Sequence, residues 1–273
     1  MKSVDKQKGF LIDTTKCMGC RGCQVACKQW NELPAEKTKF VSGGLGSYQN
    51  PSNMSGKTYT VIKFFEIKDD KNNLTNWIFR KDQCQHCLEP ACESACIVSA
   101  INKQPEGPVT WDGSKCIGCR YCMVACPYNI PKFEWDKAVP DIRKCTLCYD
   151  RILEGLAPAC ATTCPTGAIL YGDRAELIKI GEKRMKSNPE NYHQHLYGKE
   201  EIGGTCVMYL GKVPMEQLDY PKNLPSQPLG MKTAPAMHAI PGVVMGLSVV
   251  LGLASYVINR RIENQELEKK EGK

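Results

Sequence analysis

The sequence predicts an α+β fold with two interleaved modules, a β-hairpin insertion and one C-terminal transmembrane helix. Three observations support this prediction. Sixteen of the 17 cysteines fall into four groups of four. Residues 59–68 and 76–80 are rich in β-branched and aromatic side chains, which favour strands. Residues 239–258 contain no charged side chain and are long enough to cross a bilayer.

The third cysteine group is the strongest motif, because a proline follows it directly. Its spacing, C-x2-C-x2-C-x3-C-P, is typical of bacterial ferredoxins, in which such cysteines bind [4Fe-4S] clusters. The cysteines are Cys116, Cys119, Cys122 and Cys126. Structural zinc is the main alternative. Disulfides fit poorly, since 17 is an odd number and such dense neighbours cannot all reach bridging geometry.

The first group repeats the third, and the fourth repeats the second. Groups one and three share KC-x-GCR-x-C-x-VAC, with an aspartate three residues before the lysine (Asp13 and Asp112). Groups two and four share PAC-x3-C-x3-AI. The position of the motif's proline holds Lys28 in group one and Ile97 in group two, and neither change removes a cysteine. The remaining cysteines are Cys17, Cys20, Cys23 and Cys27 (group one), Cys84, Cys87, Cys92 and Cys96 (group two), and Cys145, Cys148, Cys160 and Cys164 (group four).

The segments that join the groups indicate how they pair. Two-cluster ferredoxins run from one motif through Ala-Ile and a hairpin into Asp-x-x-Lys-Cys, as residues 100–116 do. Groups two and three are therefore predicted to form an inner ferredoxin-like module, residues 84–139. Group four ends in AILYGD and group one begins with FLIDTTKC, which predicts an outer module from residues 1–28 and 140–175. Tandem pairing of one with two and three with four is the alternative, and it leaves these hairpin halves unmatched.

The fourth cysteine of each motif in such a module binds the neighbouring cluster. This rule predicts four ligand sets, one for each of four [4Fe-4S] clusters. Set I is Cys17, Cys20, Cys23 and Cys164; set II is Cys27, Cys145, Cys148 and Cys160; set III is Cys84, Cys87, Cys92 and Cys126; set IV is Cys96, Cys116, Cys119 and Cys122.

The segments between and after the modules predict few further features. Residues 29–83 form an insertion, with loop at 31–56 and a β-hairpin that turns at 69–73. A helix is predicted over residues 173–185, with Asp173 as N-cap and Glu176 completing a capping box. Most of this helix lies in the C-terminal extension, residues 176–220, which also contains a strand in GGTCVMYL. Cys206 is interpreted as a small buried apolar residue rather than a ligand.

Three histidines receive structural interpretations. His86, inside C-Q-H-C, is predicted to be a plain loop residue, although hydrogen bonding to a cluster is the alternative. His193 and His195 are predicted to be solvated.

The C-terminal region predicts a membrane anchor. Prolines indicate an extended linker at 221–238, followed by the transmembrane helix at 239–258 and a tail at 259–273. A buried globular helix is the alternative, but Arg260 and Arg261 follow at once. The basic tail predicts a cytoplasmic C-terminus, with the cluster domain on the outer side. No secretory signal is visible before Cys17, so we expect export together with a larger subunit.

The charges argue against nucleic-acid binding. The net charge of +7 is mild, and the lysines and arginines are scattered rather than clustered. No catalytic constellation is evident, so the sequence predicts a non-catalytic subunit that transfers electrons. Lysines before three groups (Lys16, Lys115 and Lys144) are candidates to stabilise reduced clusters, or only to solubilise the loops.

The four cysteine groups, the GGTCVMYL stretch and the single apolar C-terminal segment resemble one family. They are similar to the four-cluster iron–sulfur subunits of molybdopterin oxidoreductases, most of all the β subunit of membrane-bound respiratory formate dehydrogenase (N type). This resemblance covers nearly the whole chain. It implies a molybdenum or tungsten pterin catalytic α subunit and a haem b membrane γ subunit that reduces quinone. The same relay in a hydrogenase or sulfur-compound reductase is the alternative, and a zinc-binding interaction module is a third.

Overall fold

The computed structural model describes residues 7–37, 48–68, 74–137 and 140–270, with backbone alone at 232–238, 241 and 268–270. The chain divides into two compact units, Met1–Leu229 and Gly230–Lys273. The cysteine groups all lie in the first unit, and the apolar C-terminal segment lies in the second.

A three-stranded sheet forms the main core of the first unit. Its central strand β1 (Lys8–Asp13) pairs antiparallel with β8 (Ile169–Asp173) and parallel with β9 (Val207–Leu210). Apolar side chains cover both faces of β1, so Phe10, Leu11 and Ile12 are buried. The predicted pairing of the chain's first strand with the strand after group four is therefore present. The strand predicted in GGTCVMYL is also present, whereas its pairing with β1 was not predicted.

Helix α6 (Arg174–Ser187) follows β8 and packs its apolar residues against the sheet. Asp173 occupies the N-cap position as predicted, but the capping box is wrong. Its side chain makes no cap hydrogen bond and instead accepts one from Lys8 Nζ at 2.9 Å, because the two residues are opposite each other on β1 and β8. Glu176 pairs with Lys179 at 2.7 Å.

The insertion contains the predicted β-hairpin. Strand β2 (Val61–Lys68) pairs antiparallel with β3 (Leu74–Asp82), and Phe64 lies opposite Phe79. The two rings contact edge to face, with centroids 5.0 Å apart. The turn predicted at residues 69–73 and residues 38–47 of the loop predicted at 31–56 lie outside the described residues, and the described residues of that loop form no helix or strand.

The cysteine-rich segments consist of short elements. Strand β4 (Ile101–Lys103) pairs with β5 (Val109–Trp111) as the hairpin predicted between groups two and three, and β6 (Lys132–Phe133) pairs with β7 (Ile142–Arg143). The helices of these segments are α1 (Gly22–Trp30), α2 (Ala91–Ser94), α3 (Tyr121–Ala125), α4 (Tyr149–Leu153) and α5 (Ala159–Thr162). The assignment of these elements to two interleaved modules stays a prediction.

The second unit is one long helix, α7 (Leu229–Lys270). Its segment Gly242–Leu267 contains an 18-residue stretch with mean hydropathy 1.8, and it is long and apolar enough to cross a membrane. The extended linker predicted at 221–238 is wrong from Leu229 onward, where the helix begins directly after Pro228. A proline at a helix start removes no intrahelical hydrogen bond, because the first N–H groups of a helix have no partner there.

Candidate metal centres

The loops of groups one and three have the same backbone conformation. Gly19 and Gly118 both have φ +69°, a left-handed conformation that glycine adopts without steric cost. Arg21 and Arg120 are also left-handed, with φ 61° and 66°, and each stands directly before a helix. Successive turns of this kind aim backbone N–H groups inward, where they favour negative charge. The sequence repeat therefore corresponds to a repeated loop conformation that suits a negatively charged group.

Aromatic rings hold both loops in place. The Arg21 guanidinium lies 4.9 Å from the centre of the Phe64 ring. In the other loop, Arg120 lies 5.4 Å from Phe133 and 5.1 Å from Trp135. Cation–π contacts of this length stabilise the arginine side chains beside the cysteines.

The four cysteines of set IV line one cavity. Its other walls are mostly apolar and include Ile101, Trp111 and Ile142. Burial raises the pKa of the Cys122 thiol to about 11, and the thiols of Cys116, Cys119 and Cys96 add to the rise. The Ala100 N–H donates to Cys96 Sγ at 3.1 Å. The structure thus brings these four thiols, from groups two and three, around one space.

The cysteines of set III also act on one another. Burial raises the pKa of Cys87 well above its usual value, and the thiols that contribute are Cys84, Cys126 and Cys92. Cys126 belongs to group three by sequence, and burial raises its pKa to about 11. The backbone N–H groups of Ile130 and Tyr128 oppose that rise.

Thiols of groups one and four also influence one another's pKa. Burial raises the pKa of Cys17; the Gly19 N–H opposes this rise, and the Cys164 and Cys20 thiols increase it. Burial likewise raises the pKa of Cys27, and the group-four thiols of Cys145, Cys160 and Cys148 contribute. Thiols of different sets also raise one another's pKa. Cys160 of set II adds to the rise at Cys23 of set I, and Cys84 of set III adds to the rise at Cys145 of set II.

The donor chemistry fits iron–sulfur clusters. All 17 cysteines lie within the described residues and have free thiols. Thiolates are the usual ligands of such clusters, and metal binding displaces the proton from a buried thiol whose pKa is raised. Among the described residues, no three or more His, Cys, Asp or Glu side chains converge as closely as a single metal ion requires.

Three buried lysines lie among the cysteines. The side chains of Lys81, Lys103 and Lys144 are at most 5% exposed. Of the three lysines singled out from the sequence, Lys16 and Lys115 are exposed, and Lys115 Nζ lies 3.4 Å from Asp112. Lys144 donates to the carbonyls of Val109 and Cys145. Sequence reasoning missed Lys81 and Lys103, because no spacing rule marks a lysine that folding buries.

His86 lies in a loop, as predicted, but its side chain is buried and hydrogen-bonded. Its Nδ1 accepts a hydrogen bond from the Val109 N–H at 2.9 Å, which puts the proton of the neutral ring on Nε2. Burial, with Lys144 and Lys103 nearby, lowers its pKa well below the usual value. Nε2 has no hydrogen-bond partner within the described part of the chain. A buried donor in the group-two loop suits a site that holds negative charge.

His193 and His195 are exposed, as predicted. The ring of His195 has its Nε2 2.5 Å from Glu201 Oε1.

Cys206 is fully buried, as predicted, but its surroundings are polar. Its Sγ lies 3.2 Å from Lys103 Nζ and 3.2 Å from Gln7 Oε1. Cys206 therefore takes part in a hydrogen-bond network, whereas the sequence predicted that it packs as an apolar residue.

Comparison with known proteins identifies the family. A domain family described as a 4Fe-4S dicluster domain matches residues 75–174, which contain cysteine groups two, three and four. The nitrate-inducible formate dehydrogenase iron–sulfur subunit of Escherichia coli K12 is 41% identical over 73% of this chain and 66% of its own length. The formate dehydrogenase-O iron–sulfur subunit of the same strain is 38% identical over 77% and 68%.

A further relative aligns over more of the chain. The hydrogenase-2 operon protein HybA of Escherichia coli O157:H7 is 34% identical over 94% of this chain and 85% of its own length. In contrast, this chain spans about two thirds of the length of the two formate dehydrogenase subunits. The chain belongs to the iron–sulfur subunit family that includes the formate dehydrogenase iron–sulfur subunits and HybA, and it binds [4Fe-4S] clusters.

Proposed function

We propose that this chain is the electron-transfer subunit of a membrane-bound formate dehydrogenase and carries four [4Fe-4S] clusters. It would pass electrons from a molybdenum or tungsten pterin catalytic subunit to a haem b membrane subunit. Oxidation of formate to carbon dioxide releases two electrons and one proton, and reduction of a quinone takes up two electrons and two protons. The observation that carries this proposal is the identity of 38–41% with formate dehydrogenase iron–sulfur subunits.

We propose sets I to IV as the ligands of the four clusters. The best support is the cavity lined by all four cysteines of set IV, which come from two successive motifs of the sequence. The antiparallel pairing of β1 with β8 supports the joining of groups one and four, which tandem pairing leaves unexplained. The mutual influence of the thiols within sets I, II and III adds further support.

The protein's own residues set the conditions for electron transfer. When bound, [4Fe-4S] clusters accept and release one electron at a time, at potentials that depend on charge, burial and hydrogen bonds to sulfur. The thiols of Cys96 and Cys145 accept hydrogen bonds from the N–H groups of Ala100 and Leu147, at 3.1 and 3.3 Å. Such donors stabilise added negative charge, and apolar walls such as Ile101 and Ile142 exclude water.

The ligand sets are tested with three serine variants. In the proposed arrangement Cys164 and Cys20 bind the same cluster, so Cys164→Ser and Cys20→Ser should remove the same electron paramagnetic resonance (EPR) signal. Cys119→Ser should remove a different one. Tandem pairing predicts that Cys164→Ser matches Cys119→Ser instead. The control is Cys206→Ser, which should retain all four signals and about sixteen iron atoms per chain, four per cluster.

We propose that α7 anchors the chain in the cytoplasmic membrane with its C-terminus in the cytoplasm. Support comes from the uncharged residues 242–258 of the candidate span and from the basic residues that follow them, including Arg260, Arg261 and Lys269. The first unit would then lie on the outer side, exported in complex with a larger subunit. Protease treatment of intact spheroplasts tests this topology: the cluster unit should be cleaved and a C-terminal tag protected. The reverse pattern contradicts it.

A hydrogenase relay is the second candidate, because HybA aligns over 94% of this chain and the formate dehydrogenase subunits over 73–77%. The two candidate functions are distinguished by which substrate, formate or hydrogen, reduces the clusters of the intact membrane complex. Formate should reduce the clusters of the purified complex, as followed by low-temperature EPR, and hydrogen should not. Reduction by hydrogen alone would assign the relay to a hydrogenase. Zinc in place of iron would contradict both.

A further inference from the structure

Lys81 is a buried cation beside two of the proposed ligand sets. It lies near the end of β3 and is only 1% exposed. Its ammonium donates a short hydrogen bond to the Gln83 side-chain oxygen and lies 6.0 Å from the centre of the Phe10 ring. Phe10 packs in the same buried cluster as Cys23 of set I and Cys160 of set II. The charge of Lys81 therefore lies at the core that joins these two sets.

The electrostatic influence of Lys81 extends to both sets. It lowers the pKa of Cys17 and Cys23, which belong to set I. It also lowers the pKa of three thiols of set II, namely Cys27, Cys145 and Cys148. The Lys81 ammonium is therefore close enough to cysteines of both sets to act on them electrostatically, as its position beside Phe10 indicates.

Burial alone disfavours an ammonium group, so Lys81 needs negative charge nearby. Within the described ranges no carboxylate forms a salt bridge with it. Burial lowers its pKa, and the cysteines that act on Lys81 in the opposite direction are Cys160, Cys23 and Cys145. As thiolate ligands of the clusters, these cysteines would supply the negative charge that keeps Lys81 protonated.

We propose that Lys81 is a shared counter-charge that raises the reduction potentials of the set I and set II clusters together, an inference that rests on the proposed relay. Adding an electron increases the negative charge at a cluster, and a cation in a medium of low dielectric stabilises that charge. Because both reduction potentials rise together, the difference between them stays small. Electron transfer between the two clusters is then not strongly uphill in either direction.

The test compares two variants that remove this charge in different ways. Lys81→Met deletes the ammonium while keeping a side chain of similar length. Gln83→Glu keeps the lysine but places a carboxylate on its hydrogen-bond acceptor, which neutralises the pair without a change of size. The control is Lys115→Met, which removes an exposed lysine at the set IV loop. All variants are purified as the intact membrane complex and titrated potentiometrically with EPR detection.

We expect two of the four midpoint potentials to fall in both Lys81→Met and Gln83→Glu. They should be the potentials of the signals lost in Cys20→Ser and Cys145→Ser, and Lys115→Met should leave them unchanged. Unchanged potentials in an assembled Gln83→Glu complex would overturn the proposal, as would an equal shift of all four. Failure of the proposed relay is distinct, because the unmodified complex would then lack four cluster signals.

Discussion

The three-stranded sheet and the cysteine-rich segments of the same unit are built in opposite ways. In the sheet, β1 and β9 are buried over nearly their whole length, and Leu11, Met208 and Leu177 of α6 share one apolar core. In the segments from β4 to α5, each element is two to five residues long. Strands and helices this short are not stable by themselves.

The difference indicates two separate sources of stability. Burial of apolar area stabilises the sheet, whether or not metal is bound. In the cysteine-rich segments the buried side chains include many thiols, for instance Cys92 and Cys122 in the core around Ile101. Bonds from thiolates to iron would cross-link these segments, as structural metals do in small domains.

Removal of iron should therefore have the largest effect on stability, and it should destabilise the cysteine-rich segments much more than the three-stranded sheet. After anaerobic chelation, we expect amide protons of β4, β5, α2 and α3 to exchange freely with solvent, while those of β1 and β9 stay protected. Hydrogen–deuterium exchange with mass spectrometry measures both regions in one sample. Equal protection of the two regions in the iron-free chain would contradict this view of the fold.

The structure of the cysteine-rich segments could be predicted from the sequence more completely than the structure of the three-stranded sheet. Cysteine spacing is a local pattern, so the groups, the β4–β5 hairpin and the strands before group one and after group four were all predictable. The parallel pairing of β9 with β1 joins residues almost 200 positions apart, and no repeat or turn signal marks it. Burial of Lys81 and His86 depends on the same long-range packing. A lysine near a motif is interpreted as exposed unless the fold is known.

A core substitution in the sheet should have the next largest effect. Leu11→Ala removes a fully buried side chain and should lower the free energy of unfolding by about 2–5 kcal/mol. The matched control is Leu153→Ala on α4, whose side chain is 62% exposed, and it should change stability by less than about 0.5 kcal/mol. Thermal unfolding followed by circular dichroism measures the difference. Iron content should stay unchanged in both variants, since neither residue is a cysteine ligand.

The two repeated loops allow a smaller and more exact comparison. Gly19→Ala and Gly118→Ala both place alanine at φ +69°, which costs about 1–2 kcal/mol. The new Cβ at Gly19 would lie 3.0 Å from the Phe79 ring, whereas at Gly118 the nearest atom, on Phe133, is 3.4 Å away. Gly19→Ala should therefore be the more destabilising variant, with earlier thermal loss of iron absorbance. The opposite order would show that Phe79 moves more readily than Phe133.

The smallest expected effect concerns the exposed lysine of the third group. Lys115→Glu should lower the potential of the set IV cluster, because a negative charge replaces a positive one near its loop. Water and Asp112 both weaken the influence of this lysine, since its side chain is 57% exposed and 3.4 Å from that carboxylate. We therefore expect a shift smaller than that of either cluster affected by Lys81→Met, measured in the same redox titration. The charge change in Lys115→Glu is twice that in Lys81→Met, so a smaller shift would show that burial, rather than the number of charges, controls these potentials.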